Sequence, residues 1–254
     1  MHKLSVITLA LNEEHNIAEC LESVKWADEI IVIDSGSTDR TIELANRYAT
    51  HVFTIEWNGY GAAKNFALAR ASGDWVLWLD ADERVPTELA EEIRQIVRRE
   101  DPSFAGFSVA RRAYFLGKWI RYCGWYPGRV TRLFLKTKSR FTETNVHEQV
   151  LVEGSIGEMK NDLLHFTDPN LQHYFQKFNR YTSLAALDLH SAGKKFAISD
   201  IVVRPLFTFF KMYFLNRGFL DGVQGFILCA ASAAYVFAKY AKLWEKEQSV
   251  ELIM

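Results

Sequence analysis

The first 82 residues alternate between short apolar runs and segments with helical spacing, and this pattern limits the fold more than any other feature. Runs rich in β-branched and aromatic residues predict four strands, Leu4–Leu9, Ile30–Asp34, Val52–Glu56 and Trp75–Leu79. The segments between them place apolar residues three or four positions apart, as amphipathic helices do. Strands that alternate with helix-length connections form parallel sheets with right-handed crossovers. The sequence therefore predicts an α/β domain with helices on both faces of the sheet.

Composition excludes several other classes of protein. Of 254 residues 49% are hydrophobic, and 30 basic residues nearly balance 31 acidic ones, which excludes disorder, collagen and a basic nucleic-acid-binding protein. Cys20, Cys123 and Cys229 are odd in number and widely spaced, so they predict neither a disulfide framework nor a zinc site. They favour a reducing compartment. The N-terminal apolar stretch is too short for a signal peptide, and we expect a cytosolic protein.

The later sequence changes character twice. After Pro86 an amphipathic helix is predicted over Thr87–Arg99, followed by a less regular, mixed sheet with strands at Ala105–Arg111, Val130–Leu135 and Gln149–Val152. From Asp168 onward the pattern is helical, over Leu171–Ser191, Ile198–Leu215 and Gly218–Lys246. A domain boundary is therefore expected near residue 168.

Polar turns follow all four strands of the N-terminal region. The turns are Ala10–Glu13, Asp34–Asp39, Glu56–Gly61 and Asp80–Glu83. Ligands of open α/β sheets bind beyond the carboxyl ends of the strands, so these turns are expected to share one rim. Asp80 and Asp82 stand there two positions apart after a buried strand. One or two carboxylates combined with substrate phosphates are the usual site for Mg²⁺ or Mn²⁺, and we expect such a cation at Asp80 and Asp82.

Taken together, these motifs resemble those of a known family. The stretches Thr8–Glu13, Val32–Asp39, Gly61–Asn65 and Leu79–Asp82 are similar, in order and spacing, to the successive motifs of the family 2 glycosyltransferases over residues 3–152. Gly128–Phe134 and Asn145–Glu148 resemble the bacterial branch that glucosylates the inner core of lipopolysaccharide. The resemblance implies a GT-A-like nucleotide-binding sheet and a metal-dependent hexosyltransferase.

The resemblance also implies a division of the chain. Residues 1–167 would be the catalytic domain, with a nucleotide-sugar half at 1–82 and an acceptor half at 83–167. Residues 168–254 would be a helical, amphipathic C-terminal region.

The resemblance implies roles for residues around a UDP-sugar. Asp34 would accept a hydrogen bond from the uracil or ribose. Asp39 would do the same or would only cap the following helix. Asn12 and Glu13 would shape the base pocket, which backbone groups around Leu9 would line.

Basic and amide side chains are expected near the diphosphate and the strand ends. Lys64 and Asn65 begin a helix whose free N–H groups favour anions, so they would contact the donor; the alternative is a solvated helical position. Arg129 and Arg132 would form bidentate hydrogen bonds with the leaving diphosphate or would be ordinary surface charges. Asp80 would contact the ribose or the metal.

Inverting transfer needs one base beside the acceptor hydroxyl. Glu148 is the candidate, because the family places its catalytic carboxylate in a comparable position after the two aspartates. His147 is the alternative base, a metal ligand or an orienting group. Asp82 joins them as a catalytic residue through the metal.

The tail predicts contact with a membrane surface. Aromatic and aliphatic residues around Phe207 and Phe214 are interspersed with Arg204, Lys211 and Arg217, whereas the unbroken apolar run Gly225–Ala238 is too short to span a bilayer. Such a segment lies in the interface of an anionic membrane. The alternative is a helical hairpin that packs on the catalytic domain or on a second subunit, which would give a homo-oligomer.

An aromatic set in the middle of the chain is open to three interpretations. Trp119, Tyr122, Trp125 and Tyr126 would stack on sugar rings, form a local core, or form a membrane-facing lip.

The leading hypothesis is an inverting glycosyltransferase that moves glucose from UDP-glucose to a glycolipid acceptor, such as a lipopolysaccharide core heptose, at the inner face of the cytoplasmic membrane. The alternatives are a catalytically inactive sugar-nucleotide-binding or membrane scaffold subunit and a polyprenyl-phosphate glycosyltransferase. A dinucleotide oxidoreductase is disfavoured, because the first turn lacks G-x-G-x-x-G. An aspartyl-phosphate phosphatase is disfavoured, because the first strand ends without aspartates.

Overall fold

The strands predicted for the N-terminal region form in the structure, a computed structural model that describes residues 2–99, 103–142 and 149–251. The described strands are β1 (Leu4–Ala10), β2 (Glu29–Asp34), β3 (His51–Thr54), β4 (Trp75–Asp80), β5 (Glu83–Arg84), β6 (Gly106–Val109), β7 (Arg111–Phe115), β8 (Lys118–Trp119), β9 (Val130–Leu135), β10 (Ser139–Phe141), β11 (Val150–Val152), β12 (Ile156–Glu158) and β13 (Leu163–Asp168). The described α-helices are α1 (Ile17–Glu22), α2 (Thr41–Ala45), α3 (Tyr60–Arg70), α4 (Thr87–Val97), α5 (Leu171–Ser191), α6 (Ile198–Phe210) and α7 (Gly222–Glu251).

The main sheet has the strand order β12-β6-β9-β4-β1-β2-β3. Strand β1 lies between β2 and β4 and runs parallel to both, and β3 continues the sheet in parallel beyond β2. Strand β9 then joins antiparallel to β4 and β6, whereas β12 is parallel to β6. The predicted parallel arrangement is confirmed, and the later strands extend the same sheet in mixed directions.

Helices cover both faces of this sheet. Successive residues of a strand face opposite sides, and on β1 Val6 packs in a cluster with Leu21 and Ile93 while Ile7 packs with Ala67 of α3. Val6 and Ile7 are both fully buried. Burial of such a side chain stabilises the fold by about 1.5–3 kcal/mol. The α/β class with helices on both faces is therefore confirmed.

Several boundaries differ from the sequence-based expectation. The predicted strand Ala105–Arg111 is interrupted at Ala110, where β6 ends and β7 begins, and the predicted helix Thr87–Arg99 ends at Val97. Strands β5, β8, β10, β12 and β13 were not predicted. Strands β5, β8, β10 and β12 have only two or three residues, which is too short for an alternating pattern to be visible, whereas β13 has six residues and was missed despite its length.

The chain divides into two compact units. The first comprises Met1–Arg112 and Gly128–His165, and the second comprises Ala113–Pro127 and Phe166–Met254. The domains inferred from the sequence, 1–167 and 168–254, stay a prediction. The compact units differ from them because residues 113–127 join the C-terminal helices.

The second unit has the predicted helices, with one irregular turn. Helix α5 has the expected bounds, and α6 continues through a π-helical turn, Lys211–Leu215, and a 3₁₀ turn, Gly218–Asp221, into α7. Among the described residues, Gly218–Gln248 is the one helical stretch long and apolar enough, by length and composition, to cross a membrane. It is longer than the predicted run of apolar residues, because the helix continues past Lys239 and Lys242. Lys242 donates to the backbone and side chain of Asn179 in α5, so this half of α7 makes polar contacts within the unit.

Candidate active site

The ends of β1, β2 and β4 lie side by side at one edge of the first unit. In the parallel register Leu9 is opposite Asp80, and Ala10 is opposite Asp34. The two aspartates therefore end the strands on either side of β1 at nearly the same level. The structure thus brings together Leu9, Asp34 and Asp80, as the sequence pattern implied.

Asp34 shapes the turn after β2 with one of its two carboxylate oxygens. Its Oδ2 accepts hydrogen bonds from the backbone N–H groups of Gly36 and Ser37, both at 2.9 Å. Gly36 has a φ of +99°, which glycine adopts without the strain that a side chain brings. The Asp34 Oδ1 atom is buried and has no hydrogen-bond partner in the described residues. A buried carboxylate oxygen without a partner is costly, so this atom is a candidate acceptor for a ligand donor.

Asn12 fastens the turn after β1 to the turn after β2. Its backbone N–H donates to Ser37 Oγ at 2.8 Å, and its side-chain Oδ1 accepts from the Thr38 N–H at 2.8 Å. Its φ is +55°, a left-handed conformation that asparagine tolerates better than most residues. Asn12 therefore positions the rim in addition to any contact with a ligand.

Asp39 and Glu13 are held in the same loop region. Asp39 accepts from the N–H groups of Thr41, at 2.9 Å, and Glu14, at 3.1 Å. Burial opposes ionisation, but these hydrogen bonds hold the pKa of Asp39 below its usual value. The Glu13 N–H donates to Thr41 Oγ1 at 2.7 Å, and its Oε2 accepts from Asn16 at 2.9 Å. Asp39 binds an N–H of the first turn of α2, as in the capping alternative, although the N-cap residue itself is Arg40.

Asp80 binds one basic side chain directly, and its pKa also responds to the charge of a second. Its Oδ2 accepts from Arg132 Nη2, and Arg132 also donates to Glu83 Oε1 at 2.6 Å. Burial would raise the pKa of Asp80, but the charges of Arg132 and Lys64 outweigh it and hold that pKa at about 2. Asp80 is therefore ionised at neutral pH.

Glu83 is a buried carboxylate that the sequence analysis did not single out. It is fully buried, its Oε2 accepts from the Asp80 backbone N–H at 3.1 Å, and Arg111 Nη1 lies 4.0 Å from its Oε1. Burial and the Asp80 charge raise the pKa of Glu83, although the Arg132 charge opposes them. Glu83 thus holds both the Arg132 side chain and the backbone at the end of β4.

Asp82 lies next to His165, a residue that the sequence analysis did not consider. The His165 Nε2 is 3.4 Å from Asp82 Oδ2. Strand β13 brings His165 there by pairing antiparallel with β5, where His165 is opposite Glu83. No local spacing signals this contact, because it joins segments about 80 residues apart.

Lys64 and Asn65 occupy the first turns of α3. Lys64 is 7% exposed, and its Nζ lies 4.4 Å from the ring centroid of Trp78. Asn65 donates to the Phe141 carbonyl at 3.0 Å and accepts from the Phe141 N–H at 2.9 Å. Lys64 is therefore a buried charge near Asp80 and not a solvated lysine, whereas Asn65 anchors β10.

The two predicted arginines have different surroundings. Arg132 is 7% exposed and binds Asp80 and Glu83, so it is not a surface charge. Arg129 donates to the Met159 carbonyl at 3.2 Å and lies 3.2 Å from Glu158 Oε2. Arg132 therefore contacts Asp80 directly, whereas the described contacts of Arg129 are with Met159 and Glu158.

The two candidates for the catalytic base are His147 and Glu148. Both lie outside the described residues, and their roles stay predictions.

The residues present fit a divalent cation. Asp80 and Asp82 would supply hard oxygen ligands, and Asp80 is held ionised. Within the described ranges no group of three or more His, Cys, Asp or Glu residues could hold a metal by itself. Mg²⁺ and Mn²⁺ sites of this kind are completed by substrate phosphates and water, so a pair of carboxylates is sufficient.

Comparisons with known proteins agree with these features. The family model described as "Glycosyl transferase family 2" matches residues 5–156. The lipopolysaccharide core biosynthesis glycosyltransferase LpsC of Rhizobium meliloti (strain 1021) is 32% identical over 255 residues, covering 96% of this chain and 92% of that protein. An uncharacterized glycosyltransferase of Rickettsia typhi, RT0209, is 32% identical and covers 96% of this chain and 86% of its own length.

Among solved structures, S. aureus TarS 1-349 in complex with UDP-GlcNAc is 15% identical, with a TM-score of 0.48 and coverage of 97% of this chain and 92% of that one. The family model alone spans more than half of the sequence, and it includes the ends of β1, β2 and β4. The chain belongs to glycosyltransferase family 2.

Proposed function

We propose that the protein is an inverting, metal-dependent hexosyltransferase that moves glucose from UDP-glucose to a lipid-linked glycan, such as a lipopolysaccharide core heptose. The observation that carries the proposal is the pair Asp80 and Asp82 on the same rim as Asp34. The similarity to LpsC, which is named for lipopolysaccharide core biosynthesis, favours a glycolipid acceptor.

The donor would bind across the ends of β1 and β2. Asp34 Oδ1 would accept a hydrogen bond from the uracil or the ribose, which would give this buried oxygen a partner that the described residues do not supply. Backbone groups around Leu9 would line the base pocket, and Asn12 and Glu13 would set its shape.

The diphosphate would lie at the end of β4. Asp80 and Asp82 would hold Mg²⁺ or Mn²⁺, which when bound supplies positive charge to the diphosphate. Lys64 and Arg132 lie beside Asp80 and would add cationic charge on the protein side. Both carboxylate partners of Arg132 accept from its Nη2, so contact with a phosphate would use its other guanidinium N–H groups, of which Nε has no hydrogen-bond partner among the described residues.

Glu148 would act as the base. It would take the proton from the acceptor hydroxyl while that oxygen bonds to the anomeric carbon from the face opposite the diphosphate. The bond between the anomeric carbon and the diphosphate oxygen breaks in the same step, and UDP leaves with the bonding electron pair. His147 is the alternative base.

A membrane-held acceptor fits the C-terminal helices. Apolar residues of α6 are exposed, including Ile198 at 73% and Leu206 at 68%. Exposed apolar surface of this extent is typical of a membrane or protein interface. We place the protein at the inner face of the cytoplasmic membrane, attached peripherally.

The test is release of UDP from UDP-glucose in the presence of Mg²⁺ and a heptose-containing lipid acceptor. Asp82→Ala is expected to abolish transfer and the metal dependence of UDP-sugar binding while the thermal unfolding temperature stays close to that of the wild type. Glu91→Ala, on an exposed position of α4, is the matched control and should keep full turnover.

Two outcomes would contradict the proposal. Near-wild-type turnover of Asp82→Ala at saturating Mg²⁺ and Mn²⁺ would show that Asp82 is not a metal ligand needed for transfer. Binding of UDP-glucose without any turnover of a lipid acceptor would favour the scaffold alternative. A thermal-shift comparison of nucleotide sugars identifies the donor, because a ligand at 100 times its dissociation constant stabilises by about 2.7 kcal/mol.

A further inference from the structure

Residues 113–127, here called the middle segment, are built into the C-terminal helical unit. Phe115, Ile120 and Cys123 of this segment are buried in one cluster with Leu228 and Cys229 of α7. The backbone N–H of Cys123 donates to the Asn216 carbonyl at 3.2 Å. The middle segment therefore has an inner face that packs against the turn between α6 and α7.

A buried carboxylate fixes this packing. Asp221 is 3% exposed, and its oxygens accept from the backbone N–H groups of Arg121, at 3.2 Å, and Tyr122, at 2.8 Å. Lys118 Nζ donates to the Asp221 carbonyl at 2.6 Å. Hydrogen bonds to an ionised acceptor are stronger than those between neutral groups, so Asp221 ties the middle segment to the helical turn.

The same turn exposes an apolar surface. Residues 206–226, here called the tip segment, comprise the end of α6, the two irregular turns and the start of α7. Its exposed large apolar side chains are Leu206, Phe207, Phe210, Phe214, Leu215, Phe219, Leu220, Val223 and Phe226. A contiguous stretch of this size is uncommon on a protein surface that faces only water.

The exposed charges of the two segments have one sign. Together they contain the basic residues Lys118, Arg121, Lys211 and Arg217, and Asp221 is their only acidic residue. Asp221 is buried, whereas Arg121, Lys211 and Arg217 are exposed. Every exposed charged side chain of this surface is therefore cationic.

We propose that the middle segment and the tip segment form one lipid-contacting surface that lies on an anionic bilayer, with Asp221 holding the two segments together. The aromatic and aliphatic side chains enter the interface, and Arg121, Lys211 and Arg217 contact the phosphate groups of the lipids. The inference rests on the proposed membrane-held acceptor only for its biological purpose, because lipid contact is measurable without transfer. The inference adds the middle segment to the protein surface that contacts the membrane, whereas the proposed function assigns that contact to the C-terminal helices alone.

Hydrogen–deuterium exchange of the full-length protein tests the composite surface directly. With phosphatidylglycerol vesicles present, we expect slower exchange in residues 113–127 and 206–226 together, and unchanged exchange in α5. Protection of the tip segment without the middle segment would overturn the proposal.

Point variants give an independent test through vesicle co-sedimentation. Phe219→Ser combined with Leu220→Ser is expected to weaken binding at least tenfold. Phe175→Ser combined with Leu187→Ser, at comparably exposed positions of α5, is the matched control and should not change it. Thermal unfolding confirms that each variant is folded. Equal binding by the tip variant and the control would contradict the proposal.

The charge of the middle segment has its own variant. Arg121→Gln is expected to weaken binding to phosphatidylglycerol vesicles about fivefold. One basic residue near an anionic surface contributes about 1 kcal/mol, which corresponds to this factor. Arg180→Gln, at an exposed position of α5, should have no such effect. Equal binding by Arg121→Gln and wild type would exclude the middle segment from the surface.

Two further measurements distinguish lipid contact from self-association and from donor binding. If the full-length protein forms a stable dimer by light scattering that Phe219→Ser with Leu220→Ser dissociates, the surface binds a second copy and the lipid proposal is wrong. Thermal shift with UDP-glucose reports on the proposed function separately, because the assigned donor residues are in the first unit. Vesicle binding without any nucleotide-sugar binding would contradict the proposed function and leave the lipid surface supported.

Discussion

At the residue scale, Asp34 and Asp39 differ in how many of their carboxylate oxygens accept hydrogen bonds from the protein. Both oxygens of Asp39 accept hydrogen bonds from its neighbours, so its loop accounts for the residue without a ligand. Asp34 uses Oδ2 for its turn and leaves Oδ1 buried without a partner among the described residues. Of these two predicted donor contacts, Asp34 is therefore the better supported.

The residue-scale prediction concerns the base. Glu148→Gln keeps the shape of the side chain and removes its basicity, so we expect donor affinity within a few-fold of wild type. Turnover should fall by roughly 10²–10⁴, the range for loss of a general base. Single-turnover transfer and UDP-sugar binding measure the two quantities separately.

His147→Ala is the companion variant. If His147→Ala shows the loss of turnover with intact donor affinity and Glu148→Gln does not, the base is His147 and the assignment of Glu148 is wrong.

At the scale of elements, a buried carboxylate connects β1, β2 and the turn before β4. Glu29 Oε2 accepts from Ser5 Oγ at 2.5 Å and from the Ser72 N–H at 2.8 Å, and the Gly73 N–H donates to Ser5 Oγ at 2.8 Å. A Cβ on Gly73 would lie 2.7 Å from the Ser5 nitrogen, so the turn approaches β1 too closely for a side chain. This network fixes the start of the parallel sheet opposite the candidate site.

Glu29→Gln is expected to lower the free energy of unfolding by about 1–3 kcal/mol at pH 7, because a buried hydrogen-bond network is disturbed. Burial opposes ionisation, but the bonds from Ser5 and Ser72 lower the pKa of Glu29 below its usual 4.5. A lowered folded-state pKa gives stability that is complete above the unfolded value and is lost as pH falls through the folded value.

The difference between Glu29→Gln and wild type in urea unfolding should therefore shrink as pH falls below 4.5. Glu91→Gln, at an exposed position of α4, serves as the control for a surface glutamate. A difference that is the same at about pH 7 and about pH 3, on either side of the usual glutamate pKa, would show that the carboxylate charge contributes nothing.

At the scale of the whole molecule, the C-terminal helices also hold the middle segment in place. They bury Phe115 and Ile120 of the middle segment, and Asp221 binds the backbone of Arg121 and Tyr122. Loss of the tail would remove these partners along with the exposed apolar surface.

Removing residues 196–254 is therefore expected to move the protein from the membrane fraction to the soluble one and to make the middle segment sensitive to trypsin at Lys118 and Arg121. Each fully buried apolar side chain lost from the cluster costs about 1.5–3 kcal/mol. UDP-sugar binding should survive, since the assigned donor residues belong to the first unit. Persistence of the shortened chain in the membrane fraction would exclude the tail as the attachment element.

The sequence by itself determined the parallel strands β1 to β4, the helices between them and the rim that carries Asp34, Asp80 and Asp82. These features depend on local periodicity and on the constraint that parallel strands place their carboxyl ends at one edge. The motifs on this rim were also sufficient to predict the family.

Only the tertiary structure decided which charges meet on that rim and where the middle segment belongs. Arg132 reaches Asp80 and Glu83 from about 50 residues away, and Asp221 binds the middle segment from about 100 residues away. Such contacts arise from antiparallel pairing and helix packing between distant segments, which leave no periodic pattern in either segment. The roles of Glu83, His165 and Asp221 could therefore not be predicted from local sequence.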